Sequence, residues 1–133
     1  GIQEEAGLHE LTHAWYHYKR IDDPQFKKDF VTALLTLARM DPAAHPQYAA
    51  AIKEAYKYTY NDWNKDPARF TKDFWDRSDN WTEQDWEKVE DWEFYASMAS
   101  FTMGKYKDGP HQLPPEMWRF YEDFSFIDCH FNL

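Results

Sequence analysis

Leu8-His9-Glu10-Leu11-Thr12-His13-Ala14-Trp15 contains the pattern His-Glu-x-x-His. On an α-helix, residues four apart share a face with their Cβ atoms about 5–6 Å apart, so His9 and His13 can hold one metal ion between their imidazoles. Glu10 stands about 100° around the helix from His9. That is too far round for a natural third ligand and near enough to reach a water beside the ion, which is the place of a general base. With 6 His and 10 Glu in 133 residues, chance produces the pattern roughly 0.02 times, so coincidence is not favoured. Leu8, Leu11, Trp15 and Tyr18 gather on one side of the helical wheel, and His9, His13 and His17 on another. This predicts one face that packs and one left for metal.

Outward from this helix, read as Gln3 to Lys19, the chain is punctuated by helix-start signals. Asp22-Asp23-Pro24 predicts a second helix to about Met40, with an acidic cap, Pro at its first position and a stripe of Phe26, Phe30, Leu34 and Leu37. Pro46 opens a third, to about Trp63, with the stripe Tyr48, Ala51, Ile52, Ala55 and Tyr58. Asp66-Pro67 starts a short fourth to about Arg77, carrying Phe70, Phe74 and Trp75. A fifth runs from about Thr82 to Met103, stopped by Gly104, and a sixth from Pro115 to about Phe124. Ile127, Cys129, Phe131 and Leu133 alternate with Asp128, His130 and Asn132, the period of a strand with one buried face. The expected fold is mainly α, with about six helices and at most a small β element at the C-terminal end.

The length is that of one domain, 1–133, able to bury a real core. Seven Trp, 9 Tyr and 10 Phe require that core to be built largely of rings. The formal net charge is −9, Asp and Glu numbering 24 against 15 Lys and Arg, with no basic cluster. Nucleic acid and anionic membrane surfaces are therefore not expected as partners. No run of 18 apolar residues is present, so no membrane insertion is expected. Cys129 is the single cysteine and cannot close an intrachain disulfide. A start at Gly1 rather than Met fits a processed product or a domain cut from something longer.

Two histidines need a third ligand, because a catalytic zinc site takes three protein ligands and keeps one position open. A third His six residues after the second is excluded, since that position is Lys19. The best candidate is Glu93, which shares its side of the wheel with Ala96, Ser97, Ser100 and Gly104, small residues that let a short carboxylate approach the metal helix. Glu90 and Glu54 are rivals, whereas Asp22 and Asp23 read better as a helix cap. For an oxyanion donor, Tyr106 and His111 flank Gly109 and Pro110 in the loop after the Glu93 helix. His17 could line the cleft.

Together, His9-Glu10-Leu11-Thr12-His13 and the later Glu93-Phe94-Tyr95-Ala96 resemble the gluzincin zinc metallopeptidases, in particular bacterial toxin and effector domains of the anthrax lethal factor catalytic-domain kind. Leu113-Pro114-Pro115-Glu116-Met117-Trp118-Arg119-Phe120 resembles the helix that often follows in them. The resemblance implies a zincin-like domain and one zinc ion on His9, His13 and Glu93, with Glu10 as general base. It also implies a protein or peptide substrate, an inhibitor or immunity protein as a further candidate partner, and secretion or delivery into a target cell. The departures are Thr12, where many relatives have a small residue, and a spacing of 93 − 13 = 80 from His13 to Glu93, longer than in many members. Only eight residues precede His9, where zincins usually carry a small substrate-holding sheet. Substrate must then be held by another surface or an upstream part. The competing reading is a non-catalytic helical interaction or immunity-type module, with a structural metal or none.

Overall fold

The computed structural model describes residues 2–60, 71–99, 101 and 113–122, with side chains from Glu10 onward. The fold is mainly helical, and among the described residues no strand occurs. The helices are α1 (Ile2–Asp22), α2 (Pro24–Ala38), α3 (Ala49–Thr59), α4 (Lys72–Asp76), α5 (Glu83–Lys88), α6 (Asp91–Ala99) and α7 (Pro115–Trp118), with 3-10 turns at Pro46–Tyr48 and Ser78–Asn80. The alternating stretch Ile127 to Leu133, read as a strand, lies outside the described residues. None of the described helices is long and apolar enough to cross a membrane.

The start signals act as their chemistry requires. Asp23 caps α2, its carboxylate accepting the Gln25 N–H at 3.1 Å with Pro24 at the first helical position. Thr82 and Asp85 form a reciprocal capping box at α5: Asp85 N–H donates to Thr82 Oγ1 at 3.2 Å, and Thr82 N–H to Asp85 Oδ2 at 3.0 Å. Replacing Thr82 by alanine is expected to lower stability by about 1 kcal/mol in urea unfolding; no loss would mean that α5 does not rely on this cap. Arg77 adds a two-pronged contact to the same carboxylate, at 2.8 and 3.3 Å. The Arg77 hydrogen bond, then the Thr82 amide, hold the Asp85 carboxyl well below the usual carboxylate range. A depressed folded-state pKa contributes stability above the unfolded value and loses it as pH falls. The stability gap between the wild-type chain and Asp85→Asn is therefore expected to be widest at neutral pH and to shrink as pH drops below about 4. A gap independent of pH in acid titrations of stability would contradict it.

Several boundaries differ from the sequence reading. The fourth helix, expected to run from Asp66-Pro67, is not continuous up to Arg77: Thr71 is extended (φ −75°, ψ 166°) and caps α4 at Lys72, its Oγ1 accepting the Phe74 N–H at 3.2 Å, while Asp66 and Pro67 lie outside the described residues. α1 runs past Lys19 to Asp22. The fifth helix does not run unbroken from Thr82: Val89 turns extended (φ −75°, ψ 124°) with its side chain buried, and a new helix, α6, starts at Asp91. No Pro or Gly marks that break; burial of Val89 and Asp91 together sets it. The last helix leaves α geometry after Trp118 and continues in turns through Tyr121.

α6 is central, packing against α1, α2 and α3, while α2 also packs on α3 and α7. Its buried residues Phe94, Tyr95, Ala96, Met98 and Ala99 explain why it is apolar nearly all round. The core is built on a stack of three tyrosines: Tyr95 of α6 lies between Tyr16 of α1 (centroids 4.2 Å) and Tyr121 after α7 (4.3 Å). Phe30 of α2 meets Tyr16, Tyr95 and Tyr121 edge-on, at 6.0, 5.1 and 6.2 Å. The hydroxyls are placed as well: Tyr95 donates to the Phe120 carbonyl, and Tyr121 to the Tyr95 carbonyl at 2.6 Å. A second cluster joins Phe74, Trp75 and Trp81, with the Trp81 indole N–H donating to the Phe74 carbonyl at 2.7 Å.

The packing face of α1 corrects the sequence expectation. Leu11 is 37% exposed and Tyr18 77%, whereas Thr12 and Tyr16 are fully buried. Thr12, Tyr16 and Arg20 follow helical spacing with His13 at the border of their stripe, so the candidate ligand face adjoins the packing face instead of lying apart from it. Tyr16 wins over Leu11 and Tyr18 because it completes the ring stack.

Candidate functional site

Where α1 crosses α6, His13 Nε2 stands 3.2 Å from Glu93 Oε1, with side chains 24% and 32% exposed. Two residues 80 apart in sequence are thus brought together at a partly open surface. Among the ligand candidates weighed from sequence, Glu93 is the carboxylate that meets His13. Glu90 is exposed, Asp22 is exposed, Asp23 is committed to its cap, and Glu54 Oε1 accepts from Ser97 Oγ at 2.8 Å. Ser97 follows Glu93 by one turn on α6, so Glu54 of α3 borders the same face without joining the pair.

Glu10 is exposed, one turn before His13 on α1, and His17 is exposed one turn after it. His9 lies on the α1 backbone one turn before His13, and its side chain falls outside the described part. Tyr106 and His111 also lie outside the described residues. Among the described residues no three His, Cys, Asp or Glu side chains form a ligand group by themselves.

The His13–Glu93 spacing has a chemical meaning. Ligands about 2.0–2.1 Å from one tetrahedral ion stand about 3.3–3.4 Å from each other. A separation of 3.2 Å is therefore what two members of such a set need, and imidazole nitrogen with carboxylate oxygen is a donor pair zinc accepts.

Behind the pair lies a charged lock that sequence reasoning missed. Asp91, at the start of α6 and fully buried, faces Arg20 Nε at 3.2 Å and Lys27 Nζ at 3.6 Å. Its oxygens are held by charge rather than by aligned hydrogen bonds. Arg20 sits two turns after His13 on α1, and its guanidinium lies over the Tyr16 and Trp92 rings at 5.8 and 5.4 Å. Lys27 of α2 also donates to the Trp86 carbonyl at 2.8 Å. Burial, then the Asp91 charge, push the Tyr16 hydroxyl far above its ordinary pKa; burial likewise lowers Lys27, with Asp91 opposing. The lock ties α1 and α2 to α6 within two residues of Glu93. Its one sequence signal was an aspartate opening a nearly all-apolar helix.

Comparison with family models, with curated proteins and with solved structures finds no match for this chain.

Proposed function

We propose that the chain is a zinc-dependent endopeptidase domain of gluzincin type, hydrolysing a peptide bond in a protein substrate, as a secreted or delivered bacterial toxin or effector. The observation that carries this reading is the 3.2 Å approach of Glu93 to His13, which lies on the helix bearing His-Glu-x-x-His; a carboxylate beside the motif histidines is the third ligand of a His2Glu zinc set. His9, His13 and Glu93 would hold one zinc ion. When bound, zinc supplies Lewis acidity, lowering the pKa of a water toward 7 and polarising a carbonyl.

The remaining chemistry belongs to the chain. Glu10, exposed on α1 beside the pair, takes a proton from the attacking water as its oxygen bonds to the scissile carbonyl carbon. It then gives that proton to the amine nitrogen as the C–N bond breaks. Tyr106 and His111 are the proposed donors to the developing oxyanion. A net charge of −9 disfavours nucleic acid and favours a basic protein region as substrate.

The test is hydrolysis of an unfolded protein by the purified chain. Cleavage is expected to stop with a chelator and return with zinc; cleavage indifferent to chelation would contradict the reading. A histidine–carboxylate separation of 3.2 Å is also what a plain hydrogen bond gives. That favours, as the second reading, a helical interaction or immunity-type module in which the pair is structural. Such a module would show no hydrolysis under any metal condition.

A further inference from the structure

We propose that the chain carries a second ligand site, a cavity between the end of α2, α3 and α4 that takes a small aromatic carboxylate. The cavity encloses about 630 Å³, within the range of small-molecule sites. Its floor is apolar, formed by residues such as Ile52, Met40 and Pro42. One wall is a pair of tyrosine rings, Tyr56 and Tyr60, lying 5.7 Å apart and 25° from parallel. Tyr56 is 47% exposed, which leaves a broad ring open to a flat partner.

The charge on this cavity runs against that of the whole chain. In a protein of net charge −9, the described lining carries Arg39, Lys53 and Lys72, and among the described residues Asp76 is its one carboxylate. Asp76 is already committed, paired with Lys72 and accepting the Tyr60 hydroxyl at 3.1 Å. Arg39 is fixed by its Nε to Tyr60 Oη at 2.8 Å and by one terminal nitrogen to the Trp75 carbonyl at 2.8 Å and Ser78 Oγ at 3.4 Å. Its other terminal nitrogen donates to none of the described residues, and Lys53 has no ion-pair partner among them. Two cationic donors without acceptors among the described residues, beside an open aromatic wall and an apolar floor, are complementary to one chemistry: a flat ring bearing a carboxylate.

The experiment is titration of the full chain with 2-naphthoate, followed by protein NMR shifts, alongside 2-(aminomethyl)naphthalene as a cation of the same ring. Naphthoate is expected to saturate in the high-micromolar to millimolar range and to move resonances of Tyr56 and Tyr60. The amine is expected to bind at least about fivefold more weakly. Lys53→Gln and Tyr56→Ser, both surface changes, should each weaken naphthoate by about fivefold. Lys28→Gln, remote and paired with Glu83, should leave it unchanged. Three results would each overturn the proposal: no saturation, equal binding of the amine, or full affinity in Lys53→Gln. None of these outcomes depends on hydrolysis, so the site stands apart from the His13–Glu93 pair.

Discussion

Replacing Glu10 by alanine is expected to reduce hydrolysis by about 10³-fold while leaving zinc binding intact. The two readouts separate because Glu10 shares α1 with the candidate ligands but is exposed, and its proposed task is to move a proton. A general base contributes about 10²–10⁴-fold, and nothing in the described packing depends on this side chain. The loss should therefore fall on kcat, with the folded state and the metal content unchanged. Glu10→Gln should be as inactive as the alanine variant, since an amide keeps the shape and loses the basicity. Retention of a tenth or more of the activity in either variant would remove Glu10 from the mechanism, as would parallel loss of zinc.

Removal of Asp91 is expected to have the largest effect on stability, about 3 kcal/mol for Asp91→Ala in urea unfolding. Truncating one member of a buried charge group leaves its partners desolvated and unpaired, which costs about 3–5 kcal/mol. Arg20 and Lys27 keep some access to water, so the lower end applies. The same variant should weaken zinc binding, because Asp91 anchors the start of α6 two residues before Glu93. A loss below about 1 kcal/mol would show that the ring stack alone fixes α6 against α1. Zinc affinity unchanged despite a 3 kcal/mol loss would show that the lock stabilises the fold without positioning the pair.

Much of this fold is legible in local sequence because its start signals are strong. Asp23-Pro24 and Pro46 mark where helical structure begins, and the stripe Ala51, Ile52, Ala55 and Tyr58 is the buried face of α3. What local pattern does not carry is which of several apolar faces wins. On α1, Leu11, Trp15 and Tyr18 outrank Thr12 by hydrophobicity, yet Thr12 and Tyr16 are buried because Tyr16 meets Tyr95 and Phe30, partners far along the chain. The break at Val89–Glu90 is illegible for the same reason: it answers to the burial of Asp91 beside Arg20 and Lys27 on two other helices.

The candidate site divides along the same line. The spacing of His9, Glu10 and His13 is local and visible at once. Glu93 could be singled out only through the small residues on its side of α6, and its approach to His13 is a tertiary fact. The cavity by Tyr56 is formed by residues spread from Ala38 to Asp76 and has no sequence motif.

The most direct measurement is zinc stoichiometry and affinity of the purified chain, compared with His13→Ala, Glu93→Ala and Glu54→Ala. One ion per chain is expected for wild type, with Glu54→Ala unchanged and the other two weakened by at least about 100-fold, the upper end of what losing a partner beyond the ligands costs. A chain that takes up no zinc, or a Glu93→Ala variant that binds it as tightly as wild type, would contradict the account.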